Sequence, residues 1–286
     1  MRVRLTLSRF GNLSVLALTL HLLGTGCSEN RTRDVDALPD ASPLFDLSQR
    51  RYPDLSSPWD MARPPVHVVM TADNAYAFGW GDSAHVTKLN GRPITQVAGD
   101  IFNCPIGIGP EEYDIPAQDA PEDLYLYVVA WADDATTQGL IGQFDRGGLP
   151  TYTGSGPWEA CATGLSYPTG LGGFGPPIEV VNREIERCNA GGGDASKTSA
   201  GWVNSAGAIT PGSVGSLAVG EDNSDSTGDF PIVCQKDLAG KRGVDSAARW
   251  MWYSPDGKSP FRHQGGVNPT RTFLLFRLPG KVIVIG

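Results

Sequence analysis

The stretch Leu124–Trp131 reads Leu-Tyr-Leu-Tyr-Val-Val-Ala-Trp, a short run of aromatic, aliphatic and β-branched residues. Such a run, bounded by turn residues, is typical of a buried β-strand. Outward from it, further short β-rich runs are separated by turn signals such as Asn90-Gly91, Asp256-Gly257 and Pro279-Gly280. These runs are Val66–Thr71, Ala75–Gly79, His85–Leu89, Gly139–Asp145, Arg249–Tyr253, Thr272–Leu278 and Lys281–Ile285. Many short strands predict an all-β fold, an antiparallel β-sandwich or jelly roll.

One short helix interrupts this pattern. It is predicted over Pro176–Arg187, with Ile178, Val181 and Ile185 on one stripe. A proline near the start and the glycines Gly191–Gly193 beyond the end are the usual punctuation of a helix. The following Gly/Ser/Thr-rich stretch, residues 190–228, is expected to form long Gly-rich loops with short strands.

The composition excludes several classes of protein. The chain has 286 residues with 36 Gly and 22 Pro, which disfavours a helical bundle, and no Gly-X-Y period indicates collagen. Its formal net charge is −8, whereas a nucleic-acid-binding protein needs a basic face for phosphate. We therefore expect no nucleic-acid partner.

The N-terminal segment predicts export. Residues 1–26 combine Arg2, Arg4 and Arg9 with an apolar stretch too short to span a bilayer, as in a signal peptide. Leu23-Gly24-Thr25-Gly26-Cys27 resembles the bacterial lipobox, in which the signal is cleaved before a cysteine that is then lipidated. The alternative is an ordinary signal peptide with a chance cysteine. The resemblance implies a lipoprotein anchored through Cys27, and the absence of Asp at position 28 favours the outer membrane, facing the periplasm or the cell surface.

Residues 27–65 are rich in Pro and Asp and lack a hydrophobic period, so we expect a disordered tether that holds the domain away from the membrane. Residues 66–286 would then form a single β-sandwich domain. Removing residues 1–26 strips three arginines and no acidic residue, which takes the formal net charge to −11.

Cysteine usage is consistent with this compartment. If Cys27 carries lipid, an even number remains, and export implies an oxidising environment in which disulfides form. Three pairings are possible; the one favoured joins neighbours along the chain, Cys104–Cys161 and Cys188–Cys234. No C-x-x-C spacing suggests zinc or redox chemistry.

The order of several pieces resembles a known family. Val69–Tyr76 looks like the opening strand of galactose-binding-like β-sandwiches, the accessory domains of rhamnosidase-type glycosidases. The pieces that follow in matching order are Leu124–Trp131, Asp133-Asp134, Gly139–Phe144, Trp158, Ala248–Trp252 and Phe273–Leu278. Where the family has Asn-Gly soon after the tyrosine, this chain has Gly79-Trp80-Gly81, which predicts a remodelled first hairpin. The resemblance implies a galactose-binding-like jelly roll that binds carbohydrate.

No catalytic motif is evident. The chain contains no H-E-x-x-H and no G-x-S-x-G, and His67, His85 and His263 stand without a local nucleophile–base spacing. Carboxylates are plentiful, but a sequence alone does not show two of them converging on a cleft. We therefore expect no enzyme.

One acidic loop invites comparison with calcium sites. Residues 222–229 read Asp-Asn-Ser-Asp-Ser-Thr-Gly-Asp, and calcium takes carboxylate oxygens from flexible loops. Asp222, Asp225 and Asp229 are the candidate ligands. Cys234 stands where a calcium loop read from Asn223 would place Glu, and a plain solvated acidic loop is the alternative.

Aromatic residues supply the remaining candidates, because their faces stack on sugars. Trp80, with Asp82 beside it, and Trp158 adjoin glycines and are predicted to lie in loops, where β-sandwiches bind ligands. Trp250 and Trp252 share one strand face and are expected in the core.

These observations predict a lipid-anchored, extracytoplasmic, non-catalytic carbohydrate-binding protein of the cell envelope. A structural or adhesive surface lipoprotein that binds another protein is the alternative, and an orphan glycoside hydrolase is the third.

Overall fold

The computed structural model describes residues 63–73, 75–91, 98–103, 109–131, 137–147, 150–166, 175–191, 199–234, 243–262 and 272–283. The chain divides into two units, Met1–Ser56 and Ser57–Gly286, and all described residues belong to the second. The predicted signal peptide, Cys27, most of the tether, Cys104, Asp133-Asp134 and His263 lie outside the described residues.

Antiparallel strands build two sheets, which confirms the all-β sandwich predicted from the sequence. The strands of sheet I are β1 (Val66–Asp73), β4 (Glu111–Ile115), β6 (Gly139–Asp145), β7 (Pro150–Tyr152), β11 (Ser216–Asp222) and β12 (Arg249–Ser254). Their order in the sheet is β11-β12-β6-β1-β4, with β7 paired to β6.

The strands of sheet II are β2 (Ala75–Gly81), β3 (Val86–Gly91), β5 (Tyr125–Trp131), β8 (Glu159–Ser166), β9 (Val203–Asn204), β10 (Gly207–Ala208) and β13 (Thr272–Pro279). Their order in the sheet is β10-β9-β8-β13-β5-β2-β3. Central β5 is paired with β2 and β13, and its alternate residues belong to two different hydrophobic clusters, so both faces of the strand are buried, which explains why its sequence is so apolar.

The two sheets pack face to face around one hydrophobic core. The Tyr113 ring of sheet I lies 4.8 Å, centroid to centroid, from that of Phe78 in sheet II. Phe144 of sheet I is similarly 5.2 Å from Trp158, which directly precedes β8. Trp250 stacks on Phe230 at 3.9 Å, and Trp252 lies 5.8 Å from Phe276, so both tryptophans are core residues as expected.

Helix α2 (Ile178–Ala190) covers the outer face of sheet II. It was predicted from the sequence, and it ends as predicted at Gly191, whose φ of +61° is the left-handed conformation that glycine adopts readily. Val181, Ile185 and Cys188 pack in a second hydrophobic cluster with Ala77 and Val129 on the outer face of sheet II, apart from the core between the sheets. A second, five-residue helix, α1 (Ala98–Phe102), was not predicted.

The favoured cysteine pairing is wrong. The structure joins Cys161 of β8 to Cys188 of α2, with their Cα atoms 6.2 Å apart. Cys234 is also disulfide-bonded, and its partner lies outside the described residues. Cys161 and Cys188 are also neighbours along the chain, 27 residues apart, and they pair because α2 folds back across sheet II and brings Cys188 onto β8.

The predicted last strand, Lys281–Ile285, is also not formed over its described part. Gly280–Val282 is a 3-10 turn, in which the N–H of Ile283 donates to the carbonyl of Gly280. The N–H of Gly280 donates to the carbonyl of Leu124 at 2.6 Å, which continues the β13–β5 register by one residue before the 3-10 turn ends the strand. No helix within the described ranges is long and apolar enough to cross a membrane.

Candidate functional site

The two tryptophans predicted to lie in exposed loops are buried. Trp80 belongs to β2 and is 8% exposed, and Trp158 is 1% exposed. The glycines beside Trp80 reflect close strand pairing: a Cβ on Gly79 would lie 2.5 Å from the Lys88 carbonyl, and one on Gly81 2.0 Å from that of His85. Glycine next to tryptophan thus marks a tight β2–β3 pairing, and neither indole offers a free face to a sugar.

Asp82 is exposed, but its carboxylate shapes the turn between β2 and β3. It accepts hydrogen bonds from the N–H groups of Ala84 at 2.7 Å and His85 at 2.8 Å, and these bonds lower the pKa of Asp82. Its main-chain carbonyl accepts a 2.6 Å bond from the Tyr127 hydroxyl. Asp82 therefore holds the turn onto sheet II, while Trp158 lies beside β8, across two intervening strands from β2.

The candidate calcium ligands do not converge. Asp222 accepts hydrogen bonds from the N–H and hydroxyl of Ser224, and Asp225 from those of Thr227; these bonds lower the pKa of both carboxyls. Asp229 pairs with Arg262 at 3.2 Å. Within the described residues, no group of three or more His, Cys, Asp or Glu could hold a metal ion. Calcium binding stays a prediction, and these contacts provide a structural role for the three carboxylates instead.

A pocket of about 310 Å³ lies at the N-terminal end of α2, and we call it the α2 pocket. Its lining consists of Ala77, Leu89, Gly91, Gly175, Pro176, Pro177 and Ile178. Ala77 and Gly91 are register partners in β2 and β3, so Leu89 of β3 is the one large side chain that lines the sheet side of the pocket. The cavity exists because small residues face each other where the helix begins.

Gly175 is held against Trp131 of β5. A Cβ at position 175 would lie 2.3 Å from Cη2 of Trp131, so no side chain fits there without moving a rigid indole. Trp131 is 1% exposed and packs on the outer face of sheet II. This contact fixes where the chain enters α2 and therefore fixes one wall of the pocket.

The polar part of the pocket comes from the helix terminus. No side chain caps α2, and the N–H groups of Val180 and Val181 both donate to the Pro177 carbonyl. The N–H groups of Ile178 and Glu179 have no hydrogen-bond partner in the described part of the chain. Of these two donors at the positive end of the helix, the N–H of Ile178 belongs to a residue that lines the apolar cavity, whereas Glu179 is exposed and is not among the lining residues.

The opposite end of α2 is held by a polar cluster around Arg277. The Arg277 guanidinium lies 3.9 Å from the centroid of the Trp202 ring, and its Nε donates to Glu159. Its Nη1 donates to Asn189 Oδ1 at 2.8 Å, and the same oxygen accepts a 2.8 Å bond from Trp202 Nε1. These contacts fasten the last turn of α2 to sheet II.

The sequence analysis missed this cluster and the α2 pocket. An arginine inside the otherwise apolar strand Thr272–Pro279 was a signal for the first, because a charge in a buried strand needs partners. The pocket had no comparable signal, since it depends on which small residues face each other across elements.

Comparison of the chain with protein-family models, with curated proteins and with solved structures returned no match.

Proposed function

We propose that the protein is a lipid-anchored, extracytoplasmic binding protein whose β-sandwich binds carbohydrate non-catalytically in the α2 pocket. In this proposal Cys27 carries the lipid, residues 27–65 form the tether, and the partner is a glycan or another component of the cell envelope. The proposed location is the outer membrane, with the domain facing the periplasm or the cell surface. We also propose that the β-sandwich is related to galactose-binding-like domains.

The observation that carries the proposal is the combination of surfaces in the α2 pocket. A sugar ring presents an apolar C–H face and a rim of hydroxyl oxygens. The sheet side formed by Ala77 and Gly91, with Leu89 beside it, suits the apolar face, and the N–H of Ile178, which has no hydrogen-bond partner in the described part of the chain, suits the hydroxyl rim. The volume of about 310 Å³ is at the lower end of the range for small-ligand sites.

The disulfides support the proposed compartment. Cys161 and Cys188 are bonded to each other and Cys234 is also disulfide-bonded. Structural disulfides persist in exported proteins, whereas thiols in the cytosol are kept reduced. This agrees with the export signal predicted from residues 1–26.

The test is a glycan array with the full-length chain in mild detergent, followed by calorimetry of any hit. Leu89→Trp narrows the α2 pocket and is expected to weaken binding at least tenfold. Lys88→Trp is the matched control, because it places the same indole at an exposed neighbouring position of β3 and leaves binding unchanged.

If Leu89→Trp binds the glycan as strongly as the wild type does, the glycan does not bind in the α2 pocket. Failure to bind any glycan, with adhesion to a protein partner retained, would favour the adhesive alternative. Release of reducing sugar ends would favour the hydrolase.

A further inference from the structure

Helix α2 packs on a sandwich whose core between the two sheets is formed without it. The core between the sheets contains no residue of α2, and the helix buries its apolar residues Val181, Ile185 and Cys188 in the separate cluster outside sheet II. A helix packed on an already complete core can open by itself, as a cooperative unit of lower stability than the rest of the domain.

Two features of α2 weaken its docking. The Glu184 side chain is fully buried, and although Oε1 accepts a 2.8 Å bond from Arg187, Oε2 has no partner. A buried carboxylate with one unpaired oxygen is costly. The helix also begins without a side-chain cap, which leaves donors at its first turn unsatisfied.

The disulfide lies where it can offset these costs. Cys188 is in the last turn of α2 and Cys161 is in β8, and both are fully buried. The Ser199 hydroxyl lies 3.2 Å from the Cys161 sulfur and 3.3 Å from the Cys188 sulfur. The covalent bond therefore joins the helix to the sheet on the face that α2 covers, and the other end of the same helix forms the wall of the α2 pocket.

We propose that the Cys161–Cys188 bond is a redox latch that closes α2 onto sheet II, so that the α2 pocket is assembled only in the oxidised chain. In the closing step the two thiols lose two protons and two electrons to a disulfide-bearing oxidant, which becomes a dithiol, and a sulfur–sulfur bond forms. Before that step the sandwich is folded and α2 is undocked. Because both sulfurs are buried once the latch closes, a reductant reaches them only when the helix opens.

The test is hydrogen–deuterium exchange of the full-length chain in mild detergent, read by mass spectrometry. The double variant Cys161→Ala/Cys188→Ala removes the latch and leaves the bond of Cys234 in place. We expect the amides of residues 178–190 to exchange at least tenfold faster than in the wild type, with β1 and β6 changed less than twofold. Ser199→Ala is the matched control, since it removes the hydroxyl beside both sulfurs and keeps the bond.

A rescue variant separates the latch from a general loss of stability. Adding Glu184→Gln to the double variant removes the buried charge that opposes docking and is expected to slow exchange of α2 at least threefold. Unchanged exchange of α2 in the double variant, equal acceleration in β1 and β6, or failure of the double variant to fold would each overturn the latch. Amide exchange is measured without ligand, so a failure to bind glycans does not affect this outcome.

Discussion

Burial and the neighbouring arginines shift the pKa of Glu184 in opposite directions. Its carboxylate is buried among the apolar residues of α2, and desolvation raises the pKa of Glu184, although Arg187 and Arg183 act in the opposite direction. A group whose pKa is higher in the folded than in the unfolded state binds more protons when folded. It therefore stabilises the folded protein at low pH, and this contribution is lost as the pH rises.

We expect the wild type to lose stability relative to Glu184→Gln as the pH rises above the ordinary pKa of a glutamate, about 4.3, because the folded protein holds the Glu184 proton longer than the unfolded chain does. The measurement is the free energy of unfolding by denaturant at several pH values in both proteins. Glu179→Gln, at an exposed position of the same helix, serves as the control and should follow the wild type. Parallel curves for Glu184→Gln and the wild type would contradict a raised pKa.

At the scale of elements, the Asn182 side chain pairs with the exposed edge of sheet II. Strand β3 is the last strand of sheet II, and its free edge is met by α2. Asn182 Oδ1 accepts a 2.7 Å bond from the N–H of Val86, and its Nδ2 donates a 3.0 Å bond to the carbonyl of the same residue. The amide thus replaces one residue of a neighbouring strand and protects the edge of β3 at Val86.

Asn182→Ala is expected to destabilise the domain by about 1–3 kcal/mol, because the main-chain N–H and carbonyl of buried Val86 lose their partners. Chemical denaturation followed by tryptophan fluorescence measures this change. Glu179→Ala removes an exposed side chain from the same helix and should cost about 0.5 kcal/mol or less. If the two variants are equally stable, Asn182 does not hold the edge of β3.

At the scale of the whole molecule, the proposed organisation is a β-sandwich tethered to a membrane. The described residues belong to one compact unit, Ser57–Gly286, and the proposed anchor at Cys27 precedes it in the chain. A lipid on one cysteine adds about 0.8 kcal/mol of membrane affinity per buried CH₂ group, so loss of that cysteine should release the chain.

Cys27→Ser is expected to shift most of the protein from the membrane fraction to the soluble fraction and to abolish incorporation of a labelled fatty acid. Fractionation and labelling of cells that express each form provide the measurement. Cys234→Ser is the control: it removes another cysteine and should leave labelling intact. Membrane partition that survives Cys27→Ser would contradict the lipid anchor.

The β-sandwich and helix α2 were predictable because they depend on local patterns. Each signal can be read from a few consecutive residues: the apolar runs of β1, β5, β6 and β13, and the glycine that follows α2. Strands β4 and β8 were missed because the first is a charged edge strand, Glu-Glu-Tyr-Asp-Ile, and the second is rich in small residues. Strand β4 alternates polar and apolar residues only over Glu112–Ile115, which is too short to stand out, and β8 lacks the alternation that marks a half-buried strand.

By itself the sequence determined the fold class, the place of α2 and the predicted export of the chain, since hydrophobic period, turn residues and a signal segment are local properties. Only the tertiary structure decided that Trp80 and Trp158 are buried, that Cys161 pairs with Cys188, and that a pocket opens beside Gly91 and Ile178. These features depend on which elements meet across the fold. Burial, disulfide pairing and cavities result from packing between elements that are separate in the chain. A local sequence pattern therefore does not predict them.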